Sequence, residues 1–460
     1  MTDISIDFIQ YAIGIRHTFP YTLDNNDWQK LFVFCKKQAV LGIGFSAVEK
    51  LHSKGVVCPN QLRHSWMSIA LQIENRNKKL NEYSKDIVKK YKHDGLSCCI
   101  LKGQGNLLNY PNEFALRRQS GDIDIWCEVN DSGIPIATKI GRKNVEYVYY
   151  HGIKAIIEYV KMQHVILNST KKPNPRYCDL QAPEIDSIPV EVHYRPSSLN
   201  SPLRNYRLQK WLKYNAHICM SNETQMGFAV PTSSVNVIYQ MTHLYTHYFD
   251  GGLGLRQLMD YYFALRVWHN DVIECKDLQT QGMWSEGLGT PVMSREEVIS
   301  VLRSFGMVKF ASAVMYVLHE VFENEECRMK NEECSEADDG DERESPRIDR
   351  ELKEIGPQAD EISKQQLSSI GQQLKEKCVC EPWMICEPNE KEGKKLLAEI
   401  MQGGNFGQYD TREAALKKGG MIKHGLWKLK RVMRLVSSYP EEAMWEPVFR
   451  VYHLIWRLIH

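Results

Sequence analysis

Two carboxylates, Asp122 and Asp124, stand either side of a single isoleucine in the stretch GDIDIW. In extended chain, side chains at i and i+2 leave the same face, so the two acids project together a few ångströms apart. Like charges at that distance repel unless one carboxyl takes up a proton or a cation sits between them. Hard divalent ions such as Mg²⁺ or Mn²⁺ accept oxygen ligands from one or two carboxylates together with substrate phosphates. The plain alternative is a pair that turns toward solvent at the start of a strand.

The surrounding residues favour the cation. Upstream, a short apolar run, CCIL, leads into Lys102, Gly103, Gln104 and Gly105, and then into NLLNY, which can begin a helix. Glycines in a strand-to-helix turn let backbone amides approach a phosphate, and Lys102, Gly103, Gln104 and Gly121 form the expected phosphate side. Arg117 and Arg118 precede Gly121, where they can meet phosphate or simply bridge to neighbouring acids. Downstream, IPVEVHYRP places Glu191 and His193 on one face of another strand. If the two strands are neighbours, Asp122, Asp124 and Glu191 become a catalytic and metal-binding triad for two cations, the arrangement that clamps the attacking and leaving oxygens of phosphoryl transfer.

The elements that must position these residues follow from periodicity. Residues 1–92 read as a helical region, with WQKLFVFCKKQAVLGIGFSAVEKL behind the capping candidates Asp24, Asn25, Asn26 and Asp27, and a second helix from about Gln61 to Lys92. Residues 93–200 read as a mixed α and β core. Its expected strands are Ser97–Leu101, Ile123–Val129, Ile156–Leu167 and Ile188–His193. Residues 201–325 return to helix and shape the acceptor side. The acidic stretch 326–378 has few aromatics and long polar runs, which predicts a flexible insertion, and a weaker insertion candidate lies near 276–293. Residues 379–460 form a C-terminal helical region.

The order LKG, then YP, an arginine and GDIDIW, then VEVHYRP and later GLRQLMDYY resembles the uncharacterised nucleotidyltransferase family of the polymerase-beta-like nucleotidyltransferase superfamily. The resemblance spans nearly all of the chain outside the acidic insertion. It implies an α+β fold: a polymerase-beta-like nucleotidyltransferase core with a mixed sheet, flanked by N- and C-terminal helical segments. It further implies that Gly103 lies in the triphosphate turn, that Asp122 and Asp124 form the metal pair, and that Glu191 is the third acid. The implied reaction moves a nucleoside monophosphate from an NTP, ATP being the expected one, to a hydroxyl of an unknown acceptor, with Mg²⁺ or Mn²⁺ as cofactor. Two departures stand out. The usual Gly-Ser or Gly-Gly turn is Lys102-Gly103-Gln104-Gly105 here, which offers Lys102 in place of a hydroxyl, and the third acid is glutamate, one methylene longer than aspartate.

Other residues carry weaker signals. His243 and His247 lie four apart on a helix, a spacing shared by zinc pairs, but HLYTH lacks the glutamate of a metalloprotease motif, so packed or substrate-facing histidines are expected. With His193 and Arg256 they make up the acceptor-side candidates. Arg256 and Asp260, one helical turn apart, read as a buried ion pair or as pocket lining. The glycine-rich MQGGNFGQYD predicts a tight loop between helices. The basic C-terminal helix around Lys423, Lys428, Lys430, Arg431 and Arg434 reads as solvated charge on a packed helix.

Composition narrows the class. The 460 residues are 43% hydrophobic and 25% charged, ordinary globular values, and 58 basic against 57 acidic residues leave a formal net charge of +1. No overall field recommends nucleic acid or an anionic membrane as partner. The opening MTDISIDFIQYAIG has the wrong charges for a secretory signal, and no apolar run approaches the roughly 18 residues of a membrane span. Thirteen irregularly spaced cysteines, including Cys378, Cys380 and Cys386, suit neither a disulfide framework nor a zinc knuckle, so a cytoplasmic location is expected. A glycosyltransferase using the DxD pair would need a nucleotide-binding βαβ unit before it, and a non-catalytic nucleotide-binding scaffold would not need Glu191.

Overall fold

A computed structural model describes residues 4–140, 145–170, 173–280, 292–323, 382–412 and 420–459. The acidic stretch 326–378, with Cys378 and Cys380, lies outside the described residues, as does most of the candidate insertion near 276–293.

Four helices open the chain: α1 (Ile4–Ile13), α2 (Asn25–Lys37), α3 (Leu41–Ser53) and the 34-residue α4 (Asn60–His93). Asp24 caps α2. Its side chain accepts from the Asp27 amide at 2.8 Å, and Asp27 accepts in return from the Asp24 amide, which satisfies two of the helix's open donors. The buried face of α4, with Leu80, Ile87, Val88 and Tyr91, joins the apolar layer of the sheet that follows.

That sheet begins with β1 (Leu96–Ile100), then a one-turn helix α5 (Gln104–Leu107), then β2 (Ile123–Val129). A separate antiparallel hairpin follows, β3 (Ile134–Ile140) and β4 (Val145–Tyr150), then α6 (Gly152–Ile166), β5 (Asp179–Ile185) and β6 (Ile188–His193). The four-stranded sheet runs β1-β2-β6-β5. Its central pair, β2 and β6, is parallel and its outer pairs are antiparallel. The sheet is therefore mixed and the fold α+β, with helices on both sides in sequence.

One expected strand is corrected. Ile156–Leu167 is not extended: it runs through helix α6 to the C-terminal cap at Leu167, and Ala155, Ile156, Tyr159, Val160 and Gln163 are buried at helical spacing. A short apolar run does not distinguish a strand from a buried helix by itself, and here the burial has a period of three to four residues.

The remaining helices are α7 (Pro202–Ser221), α8 (Ser233–Asp250), α9 (Leu255–Thr280), α10 (Arg295–Ser304), α11 (Val308–Phe322), α12 (Glu390–Gly403), α13 (Met421–Leu435) and α14 (Pro440–Ile459). Helices α8, α9 and α11 share one large apolar core with α1 to α3. Helix α14 returns to the sheet, where Trp456 packs among Tyr177 and Tyr194. Among the described residues no helix is long and apolar enough to cross a membrane, and the described cysteines are free thiols. Before β1 the described chain is helical, so the βαβ unit that a nucleotide-sugar reading requires does not precede the aspartates.

Candidate functional site

Strand alternation decides what faces what. On β2, Ile123, Ile125 and Cys127 join the apolar layer beneath the sheet, whereas Trp126 joins a cluster with Ala216 and Tyr239 on the opposite side. Asp124 shares the Trp126 face. The parallel register pairs Asp124 with Glu191 and Trp126 with His193, so Glu191 and His193 come to the same side as Asp124. One ligand atom each from Asp124, Glu191 and His193 lies within 4.8 Å of the others. Asp122 sits one residue before the strand and lines the same cavity, together with Gly103.

Asp124 is 2% exposed and is held by two cationic or protonated partners on one oxygen: Lys102 Nζ and His193 Nε2 each lie 2.9 Å from Oδ1. Burial works against the charge of Asp124, but Lys102 and His193 overcome it and hold the carboxyl well below its usual range. Lys102 in turn loses water yet is pushed up by Asp124, and so stays an ammonium. For His193, burial favours the neutral ring, and the bond to Asp124 outweighs it and raises the value. The other ring nitrogen of His193, Nδ1, is buried without a hydrogen-bond partner.

The other two acids are less well compensated. Asp122 is pushed up by the charge of Asp124 and then by its removal from water. Glu191 is raised by burial, then by Asp124 and Asp179, although Arg176 Nη1 stands 3.5 Å from its Oε1. Lys102, Arg256 and Arg118 offset part of the charge at Asp122, and His193 and Lys102 part of that at Glu191, yet both carboxyls stay raised. This oxygen-rich set suits a hard divalent cation.

The cavity that holds these groups has a volume of about 510 Å³ and is closed on its helical side by Gln240, His243 and His247 of α8 and by Arg256 and Gln257 of α9. A second cavity of about 480 Å³ adjoins it, sharing Lys102, Arg176, Glu191 and the two histidines, and extends to Ser197, Thr246 and residues of α14. The rings of His243 and His247 meet edge to face at 4.2 Å. Loss of water lowers both, His243 well below its ordinary value and His247 to about 3, so both are neutral at pH 7.

Several expectations change. Gln104 turns its side chain away from the cavity: Nε2 donates to Asn81 Oδ1 at 2.9 Å on α4, a structural anchor rather than a phosphate contact. Arg118 is buried, and its guanidinium is committed. Nε and Nη2 each donate to Asp260 at 2.6 Å, while Nη1 donates to Ser120 Oγ at 2.8 Å. Asp260 thus pairs with Arg118 across the fold rather than with Arg256 along α9, and it also accepts from Tyr110 Oη at 2.7 Å. Arg256 instead donates to the Gln119 carbonyl at 2.7 Å and lines the cavity on the Asp122 side. Arg117 bridges to Glu49 and Glu74, away from any phosphate role. Gly121 lines the cavity while its carbonyl accepts from Arg76 at 2.6 Å.

Gly103 has φ +53° and ψ −111°, a conformation that side chains rarely adopt, and a Cβ there would lie 3.4 Å from the Asp122 carbonyl oxygen. The turn therefore needs glycine to bring Lys102 and α5 beside the aspartates. Arg176 and Phe406 were not among the sequence candidates. Arg176 lies in an irregular stretch with no periodic signal, and Phe406 sits in the glycine-rich loop that reads only as a turn.

The model of a family described as an uncharacterised nucleotidyltransferase matches residues 24–281, more than half of the chain. No curated protein and no solved structure matches it.

Proposed function

Because the chain belongs to the uncharacterised nucleotidyltransferase family, we propose that its activity is transfer of a nucleoside monophosphate from a triphosphate to a hydroxyl at the cavity formed by Asp122, Asp124 and Glu191. The observation that carries this reading is the parallel register of β2 and β6, which sets Glu191 beside Asp124 on the face that also presents Asp122 and the Gly103 turn. Asp122, Asp124 and Glu191 would hold Mg²⁺ or Mn²⁺. Such ions, when bound, neutralise a polyphosphate and the charge that develops on it during in-line displacement.

The chain's own groups have separate tasks in this reading. Lys102 keeps Asp124 ionised and presents an ammonium beside the Gly103 turn, where it can meet a phosphate oxygen. His193 orients Asp124 through Nε2. Glu191, whose carboxyl is raised by burial and by Asp124, faces both cavities and is suited to accept the proton of an acceptor hydroxyl entering from the second one. The neutral rings of His243 and His247 form the wall that the two cavities share. ATP is the triphosphate we expect.

One observation favours a second reading, a nucleotide-binding scaffold without catalysis: Lys102 already satisfies part of the charge on Asp124. The two readings separate in one experiment. Purified protein is incubated with Mg²⁺ and each α-labelled triphosphate in cell extract, beside Asp122→Asn and Glu191→Gln variants. Label transferred by the wild type and lost in both variants supports transfer. Triphosphate bound but never transferred, or transfer unaltered in Asp122→Asn, removes it.

A further inference from the structure

The wall of the aspartate cavity comes in part from beyond the residues that the family model matches. Residues 403–407 read GGNFG, and Phe406 lies there with φ 52° and ψ 27°. A bulky residue in the left-handed region is an outlier that persists only where its surroundings fix it, and such outliers gather at ligand sites. What fixes Phe406 is backbone packed on backbone. A Cβ at Gly254 would lie 2.7 Å from Asn405 Cα, and one at Gly251 would lie 3.1 Å from the Phe406 carbonyl oxygen. Gln38, fully buried, bridges the same junction: its Nε2 donates to the Ile400 carbonyl at 3.1 Å, and its Oε1 accepts from the Leu255 amide at 3.0 Å.

The outcome of this clamping is a half-buried aromatic ring in the cavity wall. Its centroid is 4.8 Å from that of His247, and the Arg256 guanidinium stands over it at 5.3 Å. Beside it, Gln257 is 5% exposed and lines the cavity. Its Oε1 accepts from the Gly254 amide at 2.8 Å, while its Nε2 has no partner. A buried amide donor left unpaired at a cavity wall asks for a ligand acceptor. Phosphates suit Lys102 and the Gly103 turn, so the aromatic wall is left for the other end of a nucleotide.

We propose that Phe406, backed by Arg256, is the wall against which the base of the nucleoside triphosphate packs, with Gln257 Nε2 donating to an acceptor atom of the nucleoside. This rests on the reading of the cavity as a nucleotidyl-transfer site. Aromatic rings pack against any base, so Phe406 adds affinity for a nucleoside over bare polyphosphate, and Gln257 adds discrimination among bases.

The test compares two probes in the presence of Mg²⁺: α,β-methylene ATP, which cannot be cleaved at the transferred phosphate, and inorganic triphosphate. Both are titrated calorimetrically into the full chain and into Phe406→Asn and Phe406→Trp. Asparagine tolerates the left-handed backbone but has no ring, and tryptophan keeps one. Wild type and Phe406→Trp should bind the nucleotide at least ~10-fold more tightly than triphosphate, and Phe406→Asn should lose that preference while its affinity for triphosphate is unchanged. Should Phe406→Asn not fold, Phe406→Leu carries the same comparison. Unchanged nucleotide affinity in the ringless variant overturns the proposal and leaves the transfer reading standing. Binding of neither probe by the wild type overturns that reading, and this inference with it.

Discussion

Lys102 and Asp124 form an ion pair of 2.9 Å at the floor of the cavity, while Asp122, two residues before Asp124, has its carboxyl raised mainly by that neighbour's charge. The two aspartates therefore respond differently to loss of charge. Asp122→Asn removes a repulsion, and its melting temperature should equal or exceed that of the wild type while nucleotide transfer falls by roughly 10²-fold or more. Asp124→Asn leaves Lys102 and His193 facing an uncharged group and should cost about 3–5 kcal/mol of stability as well as activity. Thermal unfolding beside a transfer assay checks both.

Arg118 and Asp260 should govern stability more than chemistry. Their bidentate contact is buried and closes a separation of 142 residues. Asp260→Asn should lower unfolding free energy by about 3–5 kcal/mol in denaturant titration. Arg256→Met should cost less than that and should weaken nucleotide binding instead, because Arg256 lines the cavity and stands over the Phe406 ring.

Cation affinity should weaken as pH falls. Ligands must be deprotonated to hold a metal, and Asp122 and Glu191 are both raised. As pH falls through their elevated values, Mg²⁺ or Mn²⁺ binding should weaken while Asp124 remains ionised. Calorimetric titration of Mn²⁺ between pH 5 and 8 measures this, and the dependence should flatten in the Asp122→Asn, Glu191→Gln double variant.

Much of this arrangement can be read from residue order alone. The DxD spacing and the glutamate–histidine alternation locate Asp124, Glu191 and His193, because strand geometry is local and has a period of two. The α2 cap is legible for the same reason. The partner of Asp260 is not, since Arg118 meets it only after the chain has folded back on itself, and helical spacing points to Arg256 instead. Ile156–Leu167 misleads because apolar content does not reveal whether burial is helical or extended. Phe406 is hidden behind its glycines, whose turn propensity is visible where their close approach to Gly251 and Gly254 is not.

Glu442 predicts a separate pH effect on stability. Burial raises it to about 7 from 4.5, even though the Asn200 and Ser201 amides donate to it. A carboxyl that holds its proton more tightly when folded contributes stability that is full below pH 4.5 and is lost as pH rises to about 7. The loss should be on the order of 3 kcal/mol. Glu442→Gln should remove this slope from a plot of unfolding free energy against pH.

The side-by-side pairing of β2 and β6 has a thermodynamic corollary. Strands that run the same way are joined only by a long excursion, which here takes in the β3–β4 hairpin, α6 and β5. Any ion gripped jointly by Asp124 and Glu191 thus recognises the finished sheet and not the unfolded chain, and its binding energy is added to the energy of folding. Divalent ions at a hundred times their dissociation constant should then protect the protein by about 2.7 kcal/mol against denaturation, and the mineral content of the surrounding fluid would help to set how much of the chain stays folded.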